Sequence, residues 1–163
     1  LEFVELTDRA DDKSRRYSGG MKRRLMIGMA LLHKPKMLFL DEPTVGLDPQ
    51  VRRKMWDLIR KMNEAGMTVL LTTHYIEEAD QLCRRVAIMN RGRIIAVDTP
   101  QKLKEKVGRV VVEHMEADGM INKFFDNREQ AASYVAGLNS NATVREANLE
   151  DVFIELTGRR VND

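Results

Sequence analysis

Two adjacent acidic residues, Asp41 and Glu42, directly follow the apolar run at positions 37–40. At the end of a buried strand, a carboxylate can hold Mg²⁺ either directly or through water. A second carboxylate beside it can polarise a water molecule for attack on phosphorus. Taken alone, the pair is explained as well by an apolar strand that meets an acidic turn. The pair therefore indicates phosphoryl chemistry only in combination with other groups.

A second group, Ser18-Gly19-Gly20, opens an amphipathic segment. The unpaired N–H groups and the positive dipole end of a helix favour a phosphate at that place. Two glycines allow the backbone to approach an anion closely, and the Ser18 hydroxyl can add a hydrogen bond. By itself the group is typical of a loop with a helix N-cap.

The last two groups lie further along the chain. Gly46-Leu47-Asp48-Pro49 is a turn whose aspartate can cap a helix, and His74 follows the predicted buried strand 68–72. Each is ordinary in isolation, because a histidine after a buried strand is more often structural than catalytic. Four such groups in this order and register are a much stronger signal than any one of them.

The elements between these groups follow from hydrophobic spacing and from helix-ending residues. The sequence predicts a helix from Met21 to His33, which Pro35 ends, and a second helix that starts at Pro49 and closes at Gly66. Residues 37–40 are apolar without alternation, and 68–72 are predicted to form a second buried strand. This pattern predicts parallel strands buried on both faces, whose carboxyl ends carry the reactive groups.

The second half of the chain has a different pattern. A hairpin is predicted from residues 86–89 and 93–97, and Thr99 caps a short helix. After Gly108 the sequence predicts strands at 109–115 and 142–147, a helix at about 127–138 and a last helix that Asn148 caps. We expect this tail to be a small α/β appendage.

Together the four groups closely resemble the ABC ATPase family. The matching stretches are its signature motif, Walker B strand, D-loop and switch histidine, which here are Tyr17 to Met21, Leu40 to Thr44, Gly46 to Pro49 and Thr72 to His74. The resemblance covers roughly residues 1–106, with 107–163 as a separate small C-terminal domain. It implies an α/β fold, the C-terminal part of a P-loop NTPase cassette with a helical signature segment and a small α/β appendage.

The resemblance also implies roles, with ATP and Mg²⁺ as cofactors. Asp41 is then the Mg²⁺-linked carboxylate, Glu42 the general base, His74 the γ-phosphate sensor and Asp48 the residue that couples the two sites of a dimer. The signature residues, which contact ATP held by the other subunit, are Ser18, Gly19, Gly20 and Met21.

Three basic residues follow the signature. Arg24 matches a usual family arginine and is expected to order the local structure. Lys22 and Arg23 are expected to form a solvated face.

The chain departs from the family pattern in two respects. Met21 stands where the family most often has glutamine, which resembles the drug-export branch, as does the closing stretch 148–158. That stretch is equally explained as a capped amphipathic helix. No G-x-x-x-x-G-K-[ST] sequence occurs in the 163 residues. We therefore expect a fragment that lacks the Walker A loop and that hydrolyses ATP negligibly on its own.

Composition limits the kinds of partner that we expect for this chain. A net charge of +2 does not indicate a broad nucleic-acid-binding surface, and no apolar run is long enough to span a bilayer. The resemblance implies a transmembrane permease subunit and a second nucleotide-binding subunit as partners, and a peripheral place on the cytoplasmic face of the cell membrane. Two alternatives stay open: a soluble ABC ATPase of translation or DNA repair, and a non-catalytic dimerisation or regulatory module.

Overall fold

The computed structural model describes residues 1–116, 119–138 and 140–158. Packing divides the chain into two units, residues 1–78 and 79–163. The boundary predicted after residue 106 concerns where the cassette sequence ends, and it stays a prediction.

The first unit is an α/β arrangement that opens with short 3-10 turns at Glu2–Val4, Thr7–Arg9 and Ser14–Arg16. Its regular elements are α1 (Gly19–Leu31), β1 (Met37–Asp41), α2 (Pro49–Glu64), β2 (Thr68–Thr72) and the start of α3 (Ile76–Leu82). Helix α2 supplies much of the core through its buried side chains Met55, Trp56, Leu58, Ile59 and Met62. The two long helices and both strands therefore lie where the sequence predicts them.

Strands β1 and β2 are parallel, as expected, and Asp41 is paired with Thr72. The two strands consequently end at the same edge of the sheet. The expectation that they are buried on both faces is wrong for the part of the chain that the structure describes. Phe39 is 68% exposed and Leu70 is 51% exposed. Alternate side chains of a strand point to opposite faces, and no described element covers the face that carries these two.

The second unit starts with an antiparallel hairpin of β3 (Val86–Asn90) and β4 (Arg93–Asp98). Arg91 and Gly92 between them both have positive φ, 48° and 74°. A two-residue turn of this kind matches the twist of paired strands, which explains why the predicted hairpin forms here. Helix α4 (Pro100–Val107) follows, and the Thr99 hydroxyl accepts a hydrogen bond from the amide of Lys102 as its N-cap.

The rest of the second unit is a three-stranded antiparallel sheet in the order β6-β5-β7 with two helices. Its elements are β5 (Val110–Glu116), β6 (Gly119–Phe125), α5 (Arg128–Ala136), β7 (Ala142–Glu146) and α6 (Leu149–Thr157). The sequence did not predict β6. Asn148 caps α6 as expected, in a reciprocal capping box with Asp151. In the described ranges no helix combines the length and the apolarity needed to cross a bilayer.

Candidate functional site

The carboxyl ends of β1 and β2 bring the predicted acidic pair and His74 together. His74 Nδ1 lies 3.0 Å from Glu42 Oε1, and the His74 amide donates to Glu42 Oε2 at 3.4 Å. Asp41 accepts a hydrogen bond from the Thr72 hydroxyl. Both members of the Glu42–His74 pair reach solvent, with side-chain exposures of 35% and 58%. The cluster is therefore open to a ligand.

The backbone of Glu42 is held on both sides. Its φ of 46° lies in the left-handed region, which costs a non-glycine residue about 1–3 kcal/mol. The Glu42 amide donates to the Thr72 carbonyl at 3.1 Å, and the Glu42 carbonyl accepts from Arg23 Nη1 at 2.7 Å. A hydrogen bond with a charged donor stabilises a fold by about 1.5–3 kcal/mol, which is enough to offset strain of that size.

The expectation that Arg23 belongs to a solvated face is wrong. The side chain is half-buried, and besides Glu42 its Nη1 reaches the carbonyl of Val45 at 3.3 Å. Lys22 is exposed as expected. Arg24 orders the local structure as predicted, because its Nη1 donates to the carbonyls of Val4 and Glu5 in the opening turn.

The Ser18–Met21 segment forms the start of α1. The Ser18 hydroxyl accepts from the Met21 amide at 3.2 Å, which makes Ser18 the N-cap of this helix. A Cβ at Gly19 would meet nothing within 4 Å, whereas a Cβ at Gly20 would lie 2.4 Å from Cγ1 of Val51 on α2. Gly19 therefore faces open space, and Gly20 allows α1 to pack closely on α2. Within the described chain, no side-chain hydrogen bond links Ser18 to the cluster of Asp41, Glu42 and His74.

Asp48 lies at the start of α2. Its carboxylate accepts from the amides of Gln50 and Val51 at 3.1 and 3.0 Å, so Asp48 is the N-cap of α2. Gly46 just before it has a φ of 73°, which suits a turn that a side chain would strain. In this chain Asp48 thus has a structural role, and its predicted coupling role needs a second subunit.

Sequence reasoning missed a stack of side chains that holds His74. The His74 and Tyr75 rings lie 4.4 Å apart, and the Arg52 guanidinium lies 4.5 Å from the centre of the Tyr75 ring. One turn further along α2, Trp56 Nε1 donates to the buried carboxylate of Glu78 at 3.0 Å. Arg52 and Trp56 lie four residues apart and therefore on one face of the helix, and this spacing was the only signal in the sequence for their contacts with Tyr75 and Glu78.

The residues present fit a magnesium ion that takes some of its ligands from the protein and the others from a nucleotide and water. In the described ranges no three histidine, cysteine or acidic side chains gather into a metal site. Mg²⁺ in phosphoryl-transfer proteins is bound by one or two carboxylates together with phosphate oxygens and water, rather than by an all-protein cage. Asp41 is exposed and lies beside the Thr72 hydroxyl. This single carboxylate suits such a site.

Known sequences are similar to this chain. A family model described as "ABC transporter" matches residues 1–45. The linearmycin resistance ATP-binding protein LnrL of Bacillus subtilis is 37% identical over the whole chain, which covers 63% of that protein. The Nod factor export ATP-binding protein I of Burkholderia thailandensis is 42% identical, again over the whole chain and 60% of the relative. The chain thus spans about three-fifths of the length of these relatives.

Solved structures show the same fold. A nucleotide-free ATP-binding cassette from an ABC transporter superposes with a TM-score of 0.60 at 28% identity, over 64% of this chain and 42% of that one. The ATP-binding cassette MJ0796, solved as a dimer in a post-hydrolysis state bound to ADP and Pi, gives a TM-score of 0.53 at 32% identity, over 60% of this chain and 43% of that one. With the α/β fold, the family match over residues 1–45 and relatives that align along its whole length, the chain is similar in sequence and fold to the ATP-binding domains of ABC transporters.

Proposed function

We propose that this chain is part of an ATP-binding and ATP-hydrolysing subunit of an ABC exporter. The observation that carries the proposal is the contact between Glu42 and His74, next to Asp41, at the shared carboxyl edge of two parallel strands. Export is supported by the two relatives, one named for linearmycin resistance and the other for Nod factor export.

In this proposal Glu42 is the general base. Its carboxylate would accept the proton of a water molecule that attacks the γ-phosphorus of ATP. The His74 imidazole, which contacts Glu42 through Nδ1, can donate Nε2–H to a phosphate oxygen when both ring nitrogens carry protons. Positioning and charge stabilisation of this kind supply most of the rate enhancement in phosphoryl transfer.

Asp41 would hold Mg²⁺, which supplies neutralisation of the phosphate charge when bound. The Thr72 hydroxyl contacts the Asp41 carboxylate and orients it at the strand end. Strand β2 thus holds both acidic residues, because the Glu42 amide also donates a hydrogen bond to the Thr72 carbonyl.

The signature residues Ser18, Gly19, Gly20 and Met21 would contact ATP held by a second subunit, most simply another copy of this one. Gly19 supports this role, because the space beside it is open and the start of α1 supplies N–H groups. Asp48 would couple the two sites of that dimer. A transmembrane permease would be the second partner, with the subunit peripheral on the cytoplasmic face of the membrane.

The test uses the full-length subunit that contains this chain. Glu42→Gln should lower Mg²⁺-dependent ATP turnover at least about 100-fold while ATP binding persists. The substitution removes the basic carboxylate and keeps the size and shape of the side chain. The matched control is Glu64→Gln, which changes an exposed acid at the end of α2. Unchanged turnover in Glu42→Gln would remove Glu42 from the role of base.

The 163-residue chain alone should turn over ATP negligibly, because it contains no Walker A sequence. Measurable Mg²⁺-dependent turnover by this chain, abolished by Glu42→Gln, would contradict that expectation. Export is tested by reconstituting the full-length subunit with its permease in vesicles. ATP-driven movement of a compound that stops with Glu42→Gln supports export, and full turnover with no membrane partner argues for a soluble ATPase.

A further inference from the structure

Arg23 joins α1 to the turn that follows β1. Its Nη1 donates to the carbonyl oxygens of Glu42 at 2.7 Å and Val45 at 3.3 Å. A guanidinium is charged at all physiological pH values and presents its donors in a fixed plane. The contact therefore joins two carbonyls of one tight turn, which lie three residues apart, to a rigid helix.

The Glu42 peptide needs such a restraint. With a φ of 46°, Glu42 has a conformation that non-glycine residues rarely adopt unless the surroundings impose it. Strand β2 holds its amide through the Thr72 carbonyl, and α1 holds its carbonyl through Arg23. The carboxylate itself is hydrogen-bonded to His74. Where this carboxylate lies thus depends on how the backbone turn is held.

We infer that Arg23 is a positioning residue for Glu42, which fixes the carbonyl of the base and thereby keeps its carboxylate against His74. This inference rests on the proposed function, in which Glu42 is the base. It assigns a role in hydrolysis to a side chain outside the four motifs of the sequence analysis.

The position of Arg23 on α1 adds a consequence for the dimer. Helix α1 starts at Ser18, in the segment proposed to contact the nucleotide of the second subunit, and Arg23 lies in the second turn of that helix. One short rigid element would therefore contact the partner's nucleotide at its start and hold the base of its own subunit about one turn later. A shift of α1 would act on both sites.

The experiment compares variants of the full-length subunit. Arg23→Met keeps the aliphatic length and removes the donors. We expect kcat for ATP to fall about 10- to 100-fold with KM within about twofold, because a small displacement of a catalytic group costs that much without weakening binding. Arg23→Lys keeps one charged donor and should recover part of kcat. The matched control is Lys22→Met, an exposed neighbour on the same helix, which should leave kcat unchanged.

A second readout needs no nucleotide. In the turn held by Arg23, the Val45 amide donates to the Glu42 carbonyl, and the Leu47 amide donates to the Thr44 carbonyl. Hydrogen exchange at these two amides should be faster in Arg23→Met than in wild type or Lys22→Met. This measurement reports on the turn even in a preparation that does not turn over ATP.

The outcomes separate the inference from the function on which it rests. Wild-type kcat in Arg23→Met, or unchanged exchange at Val45 and Leu47, would overturn the positioning role. A parallel loss of kcat, ATP affinity and thermal midpoint that Arg23→Lys does not relieve would show a merely structural residue, and would overturn it as well. Persistent turnover in Glu42→Gln would instead overturn the proposed function.

Discussion

Alanine at Gly20 should destabilise the first unit, whereas alanine at Gly19 should not. A Cβ at Gly20 would lie 2.4 Å from Val51 Cγ1, which is closer than two carbon atoms can approach, and 3.5 Å from Leu47. A Cβ at Gly19 meets nothing within 4 Å. Both glycines lie in the first turn of α1, so the two substitutions share the helix-propensity gain and differ mainly in the contact with α2.

The expected magnitude follows from this difference. Replacing glycine by alanine in a helix stabilises it by about 0.5–1 kcal/mol. Overpacking of a close contact by one methyl group costs about 1–3 kcal/mol. Gly19→Ala should therefore be neutral or slightly stabilising, and Gly20→Ala should be less stable than Gly19→Ala by about 1–3 kcal/mol.

Denaturant titration followed by tryptophan fluorescence can measure this difference. Trp56 is the single tryptophan of the chain and is buried on α2, so its emission reports on the first unit. Val51→Ala removes the clashing methyl groups and should shrink the gap between the two alanine variants. Equal stabilities for Gly19→Ala and Gly20→Ala, or a gap that persists in the Val51→Ala background, would refute the packing explanation.

Two further predictions concern buried carboxylates. Arg145 binds the buried Asp151 through two nitrogens, at 2.6 and 2.8 Å, and this contact raises the pKa of the guanidinium further above its usual value. Arg145→Met should destabilise the second unit by about 2–4 kcal/mol in denaturant titration followed by circular dichroism, and a loss below about 1 kcal/mol would contradict this. In the first unit, Trp56→Phe should cost about 1–3 kcal/mol in the same assay, because Glu78 loses its hydrogen-bond donor. Glu78→Gln keeps the acceptor of this hydrogen bond and should be close to neutral, so equal losses in the two variants would refute this explanation.

Local patterns along the chain predicted most of the elements correctly. Apolar runs, prolines at helix starts and capping side chains act over a few residues, so α1, α2, β1 and β2 could be located without the fold. Strand β6 was missed because its pairing with β5 is a contact between strands and leaves only a weak pattern in its own sequence. The exposed face of β1 and β2 was also missed, because burial depends on what covers a strand and not on its own residues.

The sequence by itself determined the resemblance to the ABC ATPase family, since four short motifs in a set order are too specific to arise by chance. It also predicts which side chains carry the proposed chemistry: Asp41, Glu42 and His74. Only the tertiary structure decided how these side chains are held, because the restraints join residues far apart in the chain. Arg23 binds the carbonyl of Glu42 from 19 positions away, and Arg52 stacks on Tyr75 beside His74. Such contacts depend on three-dimensional packing, which hydrophobic spacing and capping signals do not encode.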